Sequence, residues 1–195
     1  LPISFITQRE SSTYTTSSTF TLVGMNDESS SYVLSQTCCP MQNTSNSVSP
    51  LVPVPPKVKR NVREFAGGFE RRMYSDDDCE QFLTQHFPNT SYAATFRRLQ
   101  NGAHKTDLFR YAVLFVHGGV YMDVDVELVR PLEYFVDVGR HAMYTSLGKN
   151  PGAIFQALIA APPHLPIFVD LMNYIDTQKS SPTYDAFLTD MYRRL

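Results

Sequence analysis

Apolar positions in the second half of this 195-residue chain recur with two distinct periods. Leu108, Tyr111, Ala112, Phe115 and Val116 fall at i, i+3, i+4, i+7 and i+8, which predicts an amphipathic helix over 106–117 with one buried stripe. Gly118-Gly119 breaks that pattern, and Val120 to Val126 follows as a β-branched run of strand length. Ile167, Phe168, Leu171, Met172 and Ile175 return to helical spacing. Helix, glycine turn and strand in quick succession predict α/β layering.

Weaker signals fill in the remainder. Leu1 to Thr7 reads as an entering strand, 57–65 as a helix ended by Gly67-Gly68, and Phe69 to Tyr74 as a strand. Ser75-Asp76-Asp77-Asp78 before Phe82, Leu83 and Phe87 has the form of a capped helix start, Ser75 capping and Asp78 reaching back, rather than a metal site. Pro88 stops that helix. Further on, Pro131 to Phe135 is a helix or turn, Met143 to Ser146 a strand, Ala153 to Ala161 a short buried helix, and Tyr184 to Leu195 a terminal helix. From Glu10 to Ser49 the chain is crowded with Ser, Thr and Asn, and Pro50 to Pro56 is proline-rich. That composition predicts a surface insertion or flexible loop over 10–56 that adds little to the core. The expected organisation is one domain over 1–195.

Composition narrows the class only slightly. Hydrophobic residues make up 43% and charged residues 18%, a globular balance. A formal net charge of -2 gives no basis for nucleic-acid binding, which needs clustered Lys and Arg. The apolar stretch Ala153 to Ala161 stops at Pro162-Pro163, well short of the ~20 residues that span a membrane, so no membrane span is expected in this chain. Cys38, Cys39 and Cys79 form neither a paired disulfide framework nor a zinc spacing. Asn43-Thr44-Ser45 and Asn89-Thr90-Ser91 are glycosylation triplets of low specificity.

The candidate chemistry centres on Asp123 and Asp125. Two apart at a strand end, they project their carboxylates from one face while Val124 points to the other. That face suits a hard divalent ion, Mn²⁺ or Mg²⁺, which takes carboxylate and phosphate oxygens. An ion there would offset the charge growing on a departing nucleoside diphosphate. Two rival patterns fail: a calcium loop from Asp123 needs Gly and Glu where Leu128 and Tyr134 stand, and an aspartyl-phosphate transferase has Thr or Val where Glu127 stands. Asp107 and Arg110 lie three apart on the preceding helix, either as a surface ion pair or as groups approaching whatever Asp123 and Asp125 hold.

The stretch from Ala103 through Asp107 and Arg110 to Gly118-Gly119-Val120-Tyr121-Met122-Asp123-Val124-Asp125 resembles the sugar-binding region of glycosyltransferase family 32, the initiating mannosyltransferases and related hexosyltransferases. It is also similar to that region of the large clostridial glucosylating toxins. Looser resemblance reaches Leu1-Pro2, Tyr74 to Asp78, and Asn150-Pro151-Gly152 to Pro163. The resemblance implies a GT-A fold, Rossmann-like, with a mixed sheet flanked by helices, and metal-dependent sugar transfer with retention. It implies that Asp125 and Asp123 hold the metal, with Asp123 also facing the donor, and that Asp107 and Arg110 grip donor hydroxyls. Gly118 and Gly119 make the turn, and Tyr121 belongs to the core. The donor would be GDP-mannose, UDP-glucose or UDP-galactose, and the acceptor a glycan, glycolipid or protein hydroxyl. A non-catalytic nucleotide-sugar or carbohydrate-binding protein of the same fold is the alternative. Relatives in the family continue past the position of Leu195 with a segment that closes the donor site, so the chain is expected to be truncated there. A trimmed eukaryotic relative would work in the Golgi lumen, any other in the cytoplasm.

Overall fold

The computed structural model describes residues 6–8, 16–26, 30–31, 33–40, 56–67, 69–123, 126–136, 143–148 and 153–178. They form a mixed α/β arrangement. The strands are β1 (Ile6–Gln8), β2 (Thr16–Asn26), β3 (Ser30–Ser31), β4 (Val33–Pro40), β5 (Phe69–Ser75), β6 (Gly119–Asp123), β7 (Val126–Leu128), β8 (Tyr144–Leu147) and β9 (Ile154–Ala161). The helices are α1 (Pro56–Phe65), α2 (Asp76–His86), α3 (Tyr92–Arg98), α4 (Gly102–His117) and α5 (Pro166–Thr177), with a 3₁₀ turn at Leu132–Tyr134.

Seven strands make one sheet in the order β3-β2-β5-β4-β6-β9-β8, and β1 pairs with β7 in a separate two-stranded ribbon. β4 runs parallel to both β5 and β6, whereas β9 is antiparallel to β6 and to β8. The carboxy-terminal ends of β5 and β6 therefore share one sheet edge, the side on which open α/β sheets bind ligands. Because Met122 pairs with Leu158, the start of β9 reaches that edge too.

Two expectations are corrected. Ala153 to Ala161 is not a buried helix: Ile154–Ala161 is a strand, with buried residues from Gln156 onward. Eight residues, seven of them apolar, carry no decisive period, and the β-branched Ile154 and Ile159 with Phe155 fit a pleated surface. Within the stretch read as a flexible insertion over 10–56, residues 16–26, 30–31 and 33–40 are strands of the main sheet. Thr is β-branched, so a Thr-rich run has strand preference despite its polarity. The expected terminal helix over 184–195 lies outside the described residues.

Helix α2 starts as its sequence dictates. Ser75 caps it, the Asp78 backbone N–H donating to Ser75 Oγ at 3.2 Å and the Ser75 backbone N–H donating to Asp78 Oδ2 at 2.8 Å. Helix α4 departs from its one-stripe expectation. Every residue from Thr106 to Leu114 is buried, because the helix packs against β4, β6, α2, α3 and α5 rather than lying on the surface.

The turn from α4 into β6 explains the paired glycines. Gly118 has φ +64° and ψ -158°, a region open essentially to glycine alone. A Cβ there would also stand 2.6 Å from the Pro163 backbone nitrogen and 2.9 Å from the Ala161 carbonyl. Gly118→Ala should therefore cost about 2 kcal/mol or more, read as a lower urea midpoint with an unchanged slope. A midpoint equal to the parent's would show that this turn tolerates a side chain.

Candidate active site

Asp107 and Arg110 are not a surface pair. Their residues are 1% and 3% exposed, on the α4 face turned to the sheet. Arg110 Nη2 lies 3.2 Å from Asp107 Oδ1 and 3.6 Å from Asp123 Oδ1, so one guanidinium joins the helix acid to the strand acid. Arg110 Nη1 donates to the Gln156 carbonyl at 2.6 Å, and the guanidinium carbon stacks 4.5 Å from the Tyr121 ring centroid. Planarity suits Arg to this role, since its fork can address several acceptors at once.

Three groups missed in the sequence complete the cluster. Tyr121 is fully buried, as expected of a core residue, yet its hydroxyl donates to Asp123 Oδ1 at 2.8 Å. Alternation along β6 puts both side chains on one face, and that spacing was the available signal. Gln156, 7% exposed on β9, supplies the carbonyl for Arg110 and accepts the Tyr111 hydroxyl on its side-chain oxygen. No sequence signal ties Gln156 to the site, because the pairing of β9 with β6 brings it there, beside Arg110 and Tyr111 of α4.

The charges are unevenly solvated. Burial pushes the Asp107 carboxyl up to about 6, Arg110 pulls it back, and Asp123 adds to the rise. Burial opposes the Arg110 charge, but Tyr121, Asp107, Asp123 and Tyr111 outweigh it and raise its pKa. Asp123 is the solvent-facing member, with 26% of its side chain exposed. Neither carboxylate oxygen of Asp107 has a hydrogen-bond donor among the described residues. Asp125 lies outside the described residues, as does Val124.

A buried acid and arginine thus lie on a helix that turns through paired glycines into an acid-ended strand. Residues 69–144 match the family described as "Glycosyltransferase sugar-binding region containing DXD motif". A glycosyltransferase of Acanthamoeba polyphaga mimivirus is 27% identical over 112 residues, covering 57% of this chain and 44% of that protein. An initiation-specific alpha-1,6-mannosyltransferase of Candida albicans is 28% identical over 69 residues, 35% of this chain and 18% of its own. A mannosyl phosphorylinositol ceramide synthase of Saccharomyces cerevisiae is 24% identical over 119 residues, 61% of this chain and 30% of its own. The chain thus spans less than half the length of each of these relatives. No solved structure gives a significant match. Among the described residues no helix is long and apolar enough to cross a membrane.

Proposed function

We propose that this chain forms the donor-binding part of a GT-A-type, metal-dependent retaining glycosyltransferase. It moves a hexose from a nucleoside-diphosphate sugar to a hydroxyl on a glycan, glycolipid or protein acceptor. The observation that carries this reading is Asp107: a nearly inaccessible carboxylate beside Arg110, with neither oxygen receiving a hydrogen bond from the described residues. A buried carboxylate left so is costly, and a ligand rich in hydroxyl donors would satisfy it.

In this reading Asp107 accepts from hydroxyls of the donor sugar, and Arg110 donates to its oxygens while holding Asp107 and Asp123 in register. Tyr121 orients Asp123 through the 2.8 Å bond. The donor set fits a hard cation in kind, because Asp123 is a partly exposed carboxylate at a strand end. Asp123 and Asp125 would hold Mn²⁺ or Mg²⁺ jointly with the donor's diphosphate. Once bound, the ion supplies Lewis-acid stabilisation of the leaving diphosphate.

A thermal-shift screen with Mn²⁺ tests the reading against GDP-mannose, UDP-glucose and UDP-galactose, with the mannosyl donor first because two of the relatives bear mannosyl names. At a hundred times Kd, one donor should stabilise the fold by about 2.7 kcal/mol. EDTA should abolish that shift, and Mn²⁺ should restore release of the nucleoside diphosphate. Stabilisation without release would make the chain a nucleotide-sugar binder, and no shift with any donor would sink both.

A further inference from the structure

We propose that Gln156 is a further donor-binding residue: its side-chain amide nitrogen donates to a hydroxyl oxygen of the same sugar that Asp107 accepts from. This rests on the sugar-binding role proposed above for Asp107. Strand β9 is irregular where Gln156 stands. Thr145 of β8 pairs with Ile159, but the next residue, Ser146, pairs with Phe155, so Gln156, Ala157 and Leu158 bulge out of the β8 ladder. Among the described residues, the β6 ladder takes only Leu158 to Ala161 of β9. The Gln156 carbonyl accepts from Arg110 Nη1 of α4 instead.

The bulge also turns the side chain over. Leu158 and Ala160 belong to the apolar cluster with Val62 and Leu132, whereas Ile159 and Ala161 belong to the cluster built on α4. Strict alternation would put Gln156 with Leu158, away from α4. It lies against α4, where its side-chain oxygen accepts the Tyr111 hydroxyl. That bond commits the oxygen branch of the amide to Tyr111, and the nitrogen branch meets no acceptor among the described residues. An amide N–H left so in a nearly inaccessible residue is costly. It belongs to the residue that touches the Arg110 fork, and the same fork reaches Asp107 and Asp123. Ionised Asp107 can only accept and an amide N–H can only donate, whereas a sugar hydroxyl does both. The two side chains are therefore complementary to hydroxyls of one ring.

Calorimetric titrations with Mn²⁺ compare each nucleotide sugar with its own diphosphate: GDP-mannose with GDP, and UDP-glucose and UDP-galactose with UDP. Gln156→Glu keeps an oxygen for the Tyr111 hydroxyl but has no N–H, and Gln156→Met fills the space with neither group. Both variants should weaken the nucleotide sugar that the parent binds about tenfold, as loss of one neutral hydrogen bond does, and leave the diphosphate alone within about twofold. Should Gln156→Met not fold, the near-isosteric Gln156→Glu decides. An equal fall for the diphosphate would put the amide on the phosphates and overturns the assignment. A parent that binds none of the three sugars overturns the reading of Asp107 and this assignment with it. A parent that binds one, matched by both variants, overturns the assignment alone.

Discussion

Arg110→Ala should destabilise the fold by about 3 to 5 kcal/mol at pH 8, the usual consequence of stripping the partner from a buried charge. Arg110 touches Asp107, Asp123, the Gln156 carbonyl and the Tyr121 ring, and no other cation pairs with Asp107 among the described residues. The loss should shrink toward pH 5. The Asp107 carboxyl is raised in the folded state, so folding favours its protonated form. Stability from that group is present below the unfolded value near 3.8 and is lost as pH rises through about 6. Without Arg110 the folded value climbs further, and the charged, uncompensated form dominates only at higher pH. Urea denaturation at pH 5 and pH 8 checks this. An equal deficit at both would mean that Arg110 matters for shape rather than charge. Arg110→Lys keeps the charge but not the planar fork and should recover only part of the loss.

Asp107→Asn should separate stability from binding. A rise from 3.8 to about 6 corresponds to roughly 3 kcal/mol of stability lost as the parent is taken from about pH 3 to about pH 8, and the variant, having no such titration, should show a flatter profile. Donor affinity should fall about 100-fold or more, since a site built to accept from hydroxyls loses both its charge and one acceptor. In the parent, donor affinity should rise with pH through about 6, as the carboxylate becomes available. Calorimetric titration at pH 5 and pH 8 measures both effects. A variant that binds donor like the parent would remove Asp107 from the site.

Much of this was legible in the chain, and where it was not the cause is physical. Local rules located α2, whose Ser75–Asp78 box needs only four residues, and α4 and α5, whose repeats are long. The seven residues of α3 are too short a repeat to announce a helix. Over the eight residues of β9, seven of them apolar, a buried strand and a buried helix look alike. Asp107, Arg110 and Asp123 were named from spacing along one helix-turn-strand unit. Their burial was not foreseen, since packing by α2, α3 and α5 is invisible in the spacing of α4 itself. Gln156 arrives by strand register from 46 residues beyond Arg110, and no local pattern reports that distance.

The close approach at Gly118 has a mechanical consequence. The Gly118 turn presses on Pro163, the His164 N–H donates to the Phe115 carbonyl at 2.7 Å, and Tyr111 stacks on Phe168 with ring centroids 6.1 Å apart. Helix α4 and the β9–α5 unit are thereby clamped at the end remote from Asp123. The contacts that hold the helix to the sheet therefore run from the Gly118 turn to the Arg110–Gln156 bond, along the whole second half of α4.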